Sequence, residues 1–158
     1  MAKHSSAMKK DSIPGIVAAL LILLFSYTAF SKLLEHDKFV FQMRLSHFPL
    51  LHYAAGFLAW FLPVLELAIT VLLLLPATRL FGLYSSVALL SIFTIYIVVM
   101  LLSGRSLPCT CGGIISRLSW KGHLLFNSFF ILAGVVAIFR SHIKRLSDQY
   151  TDTNFSRV

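Results

Sequence analysis

Four long apolar runs dominate the chain, at residues 13–34, 54–75, 80–102 and 120–139, and polar residues gather between and outside them. Each run reaches the length, about 20 residues at roughly 1.5 Å each, that a helix needs to cross a bilayer core. Strand-length alternation of apolar and polar positions is absent, and a backbone in lipid must satisfy its own hydrogen bonds, so the runs predict helices. The expected fold is an all-α integral membrane protein, a four-transmembrane-helix bundle with a short interfacial helix between helices 1 and 2. Residues 1–12 form a polar N-terminal segment, 13–140 the membrane domain, and 141–158 a polar tail with no apolar periodicity after Leu146, expected to be solvated and partly disordered.

The segment between the first two runs, HDKFVFQMRLSHFPLLHY, is neither a tight turn nor uniformly polar. Phe39, Met43 and His47 recur at near-helical spacing, Asp37 is placed to cap the start, and Pro49 is expected to end the element before the second span. Its mixture of aromatic and basic residues suits the headgroup level. Between the third and fourth runs, SGRSLPCTCGGIISRLS carries a proline, a glycine pair and both cysteines of the chain, the pattern of a surface or re-entrant loop. Small residues four apart, at Gly15/Ala19, Ala55/Ala59, Gly82/Ser86 and Ala133/Ala137, are expected to let helices approach closely within the bundle.

Composition reinforces the membrane reading, with 58% hydrophobic and 13% charged residues and a mean hydropathy of +0.83. A net charge of +8 raises the question of nucleic acid, but the basic residues are spread over ends and loops and make no basic face. Of the 14 Lys and Arg residues, eight lie on the side of the termini (Lys3, Lys9, Lys10, Arg79, Arg140, Lys144, Arg145, Arg157) and six on the other (Lys32, Lys38, Arg44, Arg105, Arg117, Lys121). That bias predicts cytoplasmic termini. Ala29-Phe30-Ser31 has the small-x-small form of a signal-peptide cleavage site, but the apolar run before it is too long for a signal peptide, so a retained helix is expected.

Chemistry concentrates at a few positions. Cys109 and Cys111, one residue apart in PCTCGG, fall on the extracytoplasmic side of the expected topology, where disulfides persist. A bridge across one intervening residue closes a small ring, strained and readily exchanged, with Gly112 and Gly113 permitting the unusual backbone angles. The structural alternative is a pair of reduced thiols that only pack, and a third reading is a metal site completed by His123 with His47 or His52. His123 and Asn127 share one face near the start of the fourth span, close in sequence to the cysteine loop. There an imidazole tunes a thiol and an amide orients it, or the two simply join helices. Glu66, near the middle of the second span, must be paired, hydrated or protonated. Pro63 frees the carbonyl of Ala59 one turn earlier, and Thr70 lies one turn later, so a polar pocket inside the bundle is expected. On the first span Tyr27 and Ser31 share a face, and Thr28 stacks under Lys32. The Lys32 ammonium either reaches inward to Glu66 or extends to the headgroups, with an axial offset of roughly 10 Å to cross.

In order along the chain, FSKLLEHDKF, LPVLELAITVLLLLPATRLFGL, FTIYIVVML and CTCGGIISRLSWKGHLLFN resemble the DoxX superfamily, in particular its methylamine-utilisation MauE branch. The most specific pieces are the Ser31-Lys32-Leu33 ending, Pro63 with Glu66, and the Cys-x-Cys-Gly-Gly that leads to Ser119-Trp120 and to His123 with Asn127. The resemblance implies a four-helix protein of the bacterial inner membrane, related in shape to quinone-linked thiol oxidoreductases and serving disulfide maturation or electron transfer. On that reading Cys109 and Cys111 exchange a disulfide with an extracytoplasmic thioredoxin-like or cysteine-bearing protein, His123 tunes the thiol, and Glu66 lines a pocket for a quinone or structural water. The chain lacks the second cysteine pair that a self-sufficient relay requires, so a partner is needed. The rival expectation is a non-catalytic accessory subunit of a larger membrane complex. A small-molecule carrier built around Glu66 is disfavoured by the absence of inverted repeats.

Overall fold

The structure, a computed structural model, describes residues 12–45, 49–102 and 120–155. It contains α1 (Ser12–Leu34), α2 (His36–Leu45), α3 (Pro49–Leu74), α4 (Arg79–Leu102) and α5 (Trp120–Phe155), with no strand among the described residues. Four stretches are long and apolar enough to cross a membrane: Ile13–Leu34, His52–Leu74, Arg79–Leu102 and Gly122–Ile143. Large apolar side chains such as Leu23, Phe57, Phe81, Ile95, Leu125 and Phe129 point outward and are exposed, as expected where the surrounding solvent is hydrocarbon. The chain is a multi-pass membrane protein.

Two boundaries differ from the sequence expectation. Pro49 does not end the interfacial helix but opens α3 as its first residue. Proline has no N–H to leave unsatisfied there, and its fixed φ already suits the first turn. The tail from residue 141, expected to be solvated and partly disordered, starts as helix, since α5 continues to Phe155. No Gly or Pro occurs between Gly134 and Phe155, and an established helix extends through polar sequence at little cost. Between α1 and α2 only Glu35 intervenes, and hydrogen bonds from the Glu35 amide to the Ser31 carbonyl and from the Phe39 amide to the Glu35 carbonyl, each 3.0 Å, carry the chain across. Asp37 lies in the first turn of α2, where a carboxylate favours the helix dipole.

The spans form a ring in which α1 packs against α3 and α5, α4 also packs against α3 and α5, and α1 and α4 lie on a diagonal. Leu21, Phe25, Ile69, Leu73, Leu83 and Ala137 belong to one buried apolar cluster, drawn from the half of the bundle nearest the α3–α4 turn. That turn is tight. The Thr78 hydroxyl donates to the Leu72 carbonyl at 3.0 Å and Arg79 Nε to the Leu73 carbonyl at 3.4 Å, so the last carbonyls of α3 are satisfied by side chains.

Three of the four small-residue pairs face neighbours. Ala55 and Ala59 are fully buried, Gly82 and Ser86 are buried on α4, and Ala137 is fully buried with Ala133 partly so. Gly15 and Ala19 do not: nothing lies within 4 Å of a Cβ built on Gly15, and Ala19 is exposed. The buried face of α1 instead follows Val17, Leu21, Phe25 and Thr28. Spacing in sequence permits a close approach without saying which face of the helix meets a neighbour.

Gly134, which belongs to none of those pairs, marks a close α4–α5 approach, since a Cβ there would fall 2.6 Å from Val87 Cγ2. Gly134→Ala is therefore expected to destabilise by about 1–3 kcal/mol through overpacking. Adding Val87→Ala should restore most of the loss, as read from thermal unfolding in detergent. A single variant as stable as the parent would show that this contact is slack.

Candidate functional site

The most concentrated polar feature of the described interior joins α1 to α3. Lys32 Nζ donates to Glu66 Oε1 at 2.5 Å, and the two side chains are only 5% and 1% exposed. Lys32 stands near the end of α1 and Glu66 lies well inside α3, so the lysine stem must reach back along the bundle to close the axial offset. It adopts the inward of the two courses open to it from sequence. Charges so far from water are tolerated in a membrane only when they answer one another.

Two aromatic rings attend the ammonium. The Phe93 ring centre on α4 lies 5.5 Å from Lys32 Nζ, and that of Phe39 on α2 lies 6.0 Å away. Both distances fall within reach of the attraction between a cation and a ring face. Thr28, Ser31 and Thr70 are buried around the pair. Thr28 donates to the Phe25 carbonyl at 3.2 Å and Thr70 to the Glu66 carbonyl at 3.0 Å, so these two hydroxyls are turned onto their own helices, a common way to bury a hydroxyl in a span. Ser91 and Thr94 on α4 do likewise, donating to Val87 and Leu90 carbonyls at 2.7 Å.

Where a polar pocket around Glu66 is expected, the structure shows its carboxylate paired with Lys32. Both charged groups are turned on each other and almost fully buried. Tyr27 lies at the margin of α1, 38% exposed, while Ser31 and Lys32 are inside. The inward line of α1 passes through Phe25, Thr28 and Lys32, which leaves Tyr27 on its edge.

On α5, His123 and Asn127 are buried, at 2% and 9% exposure, one turn apart on one face. His123 is the fourth residue of α5, so it stands at the end of the bundle where segment 103–119 joins the fourth span. Cys109, Cys111 and His47 lie outside the described residues. His52 is exposed, with Nδ1 3.1 Å from the Arg44 carbonyl, where it ties the end of α2 to α3. Among the described residues no three His, Cys, Asp or Glu side chains cluster as a metal site would require.

Sequence reasoning missed the rings of Phe39 and Phe93 and the tie between Tyr84 and His142, whose Oη and Nε2 are 2.9 Å apart. Phe39 carried a usable signal, since it follows Lys32 by seven residues, two helical turns. Phe93 and the Tyr84–His142 pair carried none, because each joins elements distant in the chain.

Fold and site together define a small, multi-pass, all-helical membrane protein with a sealed Lys–Glu pair bridging its first two spans. The family model described as "Methylamine utilisation protein MauE" matches residues 10–140, and the chain belongs to that family of membrane proteins involved in methylamine utilisation. The matched stretch includes all the residues of the site named above. No curated protein and no solved structure matches the chain.

Proposed function

We propose that this protein is a thiol–disulfide exchange component of the inner membrane, with both termini cytoplasmic and the Cys109–Cys111 loop on the extracytoplasmic side. The observation that carries the reading is the burial of His123 and Asn127 at the head of α5, next in the chain to the segment that holds both cysteines. A buried imidazole beside a thiol loop can hold or release the proton that decides whether sulfur reacts as thiolate. Membership of a methylamine-utilisation family supports a client among the exported proteins of that pathway, and maturation of a disulfide-rich enzyme subunit is work of this kind.

In the exchange, a client thiolate attacks the Cys109–Cys111 bridge and forms a mixed disulfide while one cysteine leaves as thiolate. A second client thiolate then attacks the mixed bridge, forming the client disulfide and freeing the other cysteine. Two electrons and two protons pass from the client dithiol to the cysteine pair. A thioredoxin-like partner in its disulfide form takes them up by the same two displacements and restores the bridge. His123 acts by positioning and proton exchange, and Asn127 by orienting it.

Counting free thiols by alkylation in native membranes tests the proposal. Both cysteines should be protected before mild reduction and alkylated after it, with a mixed-disulfide adduct trapped in Cys109→Ser or Cys111→Ser. Thiols that react equally under both conditions would remove the redox role. One observation favours a second reading, that of an accessory subunit scaffolding a larger complex: the Lys32–Glu66 pair is closed and ring-capped, as a fixed structural element would be. On that reading the double Cys109→Ser, Cys111→Ser variant leaves accumulation of the oxidised client unchanged.

A further inference from the structure

We propose that α2 is a movable lid over the Lys32–Glu66 pair, with Phe39 as its seal. The proposal does not rest on the thiol chemistry above.

Phe39 is the residue of α2 whose ring lies near the ammonium, its centre 6.0 Å away, and α2 runs antiparallel to the first turns of α3, with His36 by Trp60 and Arg44 by His52. Phe93, at 5.5 Å, approaches the same ammonium from α4, a membrane-spanning helix. The two rings therefore differ in kind: one belongs to a helix locked in the ring of spans, the other to a ten-residue helix outside it. A helix that short has little stability of its own and depends on its contacts.

Those contacts are local and shallow, and none of the α2 side chains described is fully buried. α2 packs chiefly on α3 and only lightly on α1. His36 leans on Trp60 with ring centres 4.9 Å apart, and the Arg44 carbonyl meets His52 Nδ1 at 3.1 Å. On its outward side Asp37, Lys38, Phe41 and Arg44 are exposed. The Lys38–Glu35 contact, at 3.3 Å, is a surface pair within three residues that does not tie α2 to another span. Glu35, the single residue between α1 and α2, is the hinge. Elements with few buried contacts are the first to open, and lifting this one removes Phe39 from Lys32 while α1, α3 and α4 stay in place. Water and small solutes then reach the ion pair from the membrane face on which α2 lies.

The test is cysteine accessibility in the full chain, reconstituted in vesicles, with Cys109 and Cys111 replaced by Ser. Thr28→Cys places a reporter thiol one turn below Lys32 on the same buried face. Its labelling by a small water-soluble thiol reagent should be slow with Phe39 present and faster by about tenfold or more in the Phe39→Ala background. Phe93→Ala enlarges the interior equally but leaves the lid seated, so it should change the rate by less than about twofold. Equal acceleration by both replacements would show that any cavity admits the reagent and would overturn the lid. An unchanged rate in Phe39→Ala would overturn it as well. Should Phe39→Ala prevent insertion, Trp60→Ala, which removes the ring under His36, is expected to give the same acceleration, and a rate unaltered there refutes the proposal.

Discussion

Glu66→Gln is expected to destabilise the protein by about 3–5 kcal/mol, and Lys32→Met by a similar amount, because each leaves its partner a buried charge without its counter-charge. The pair is nearly inaccessible, so solvent offers the survivor little relief. The informative variant is the double one. Lys32→Met with Glu66→Leu removes both charges and keeps most of the volume, and it should recover the greater part of the loss, since an ion pair gives back much of its Coulomb energy as desolvation. Unfolding of the purified protein in detergent by heat or denaturant measures all three. Single variants costing less than about 1 kcal/mol would mean that water reaches the pair in the resting protein. A double variant as unstable as the singles would mean that the pair sets the register of α1 on α3 in a way apolar side chains cannot replace.

Gly82→Val is the second large effect. A Cβ at Gly82 would lie 3.0 Å from the Leu73 amide nitrogen and Leu73 Cδ2, and 3.1 Å from the Leu72 carbonyl carbon. Two of these three neighbours are backbone atoms at the last turn of α3, held by the Thr78 and Arg79 side chains. They cannot swing aside as a side chain does, so a branched residue must push α4 away from α3. A cost of about 1–3 kcal/mol or more follows, seen as a lowered unfolding midpoint and a smaller folded fraction after extraction. Unlike Gly134→Ala, it should not be rescued by shortening the side chain opposite: Leu73→Ala on top of Gly82→Val leaves the backbone contacts in place. Full rescue by Leu73→Ala would falsify the claim that backbone limits this approach.

Different parts of the site were legible to different degrees. Glu66 stood out because a carboxylate within an apolar run has few ways to exist in lipid. Lys32 was visible as one of two possible partners for lipid or carboxylate, and its choice was not: a difference of one helix tilt separates an ammonium in the headgroups from one on Glu66. Tyr27 and Ser31 stand one turn apart, but that spacing does not say that Ser31 is buried while Tyr27 lies at the helix margin. Pro49 fits the end of one helix or the start of the next equally well from sequence, and it starts α3.

The sequence by itself determined the number, approximate limits and helical nature of the spans, because bilayer thickness and the need to pair backbone groups leave almost no alternative once the apolar runs are seen. It also determined that a carboxylate, Glu66, falls within a membrane span and must be answered there. Only the tertiary structure decided the ring order of the helices, the union of Lys32 with Glu66, the two phenylalanine rings beside it and the close approaches at Gly82 and Gly134. Those depend on how each helix is rotated and tilted against its neighbours, and in a solvent as apolar as the side chains themselves, hydrophobic pattern carries little information about which face turns inward.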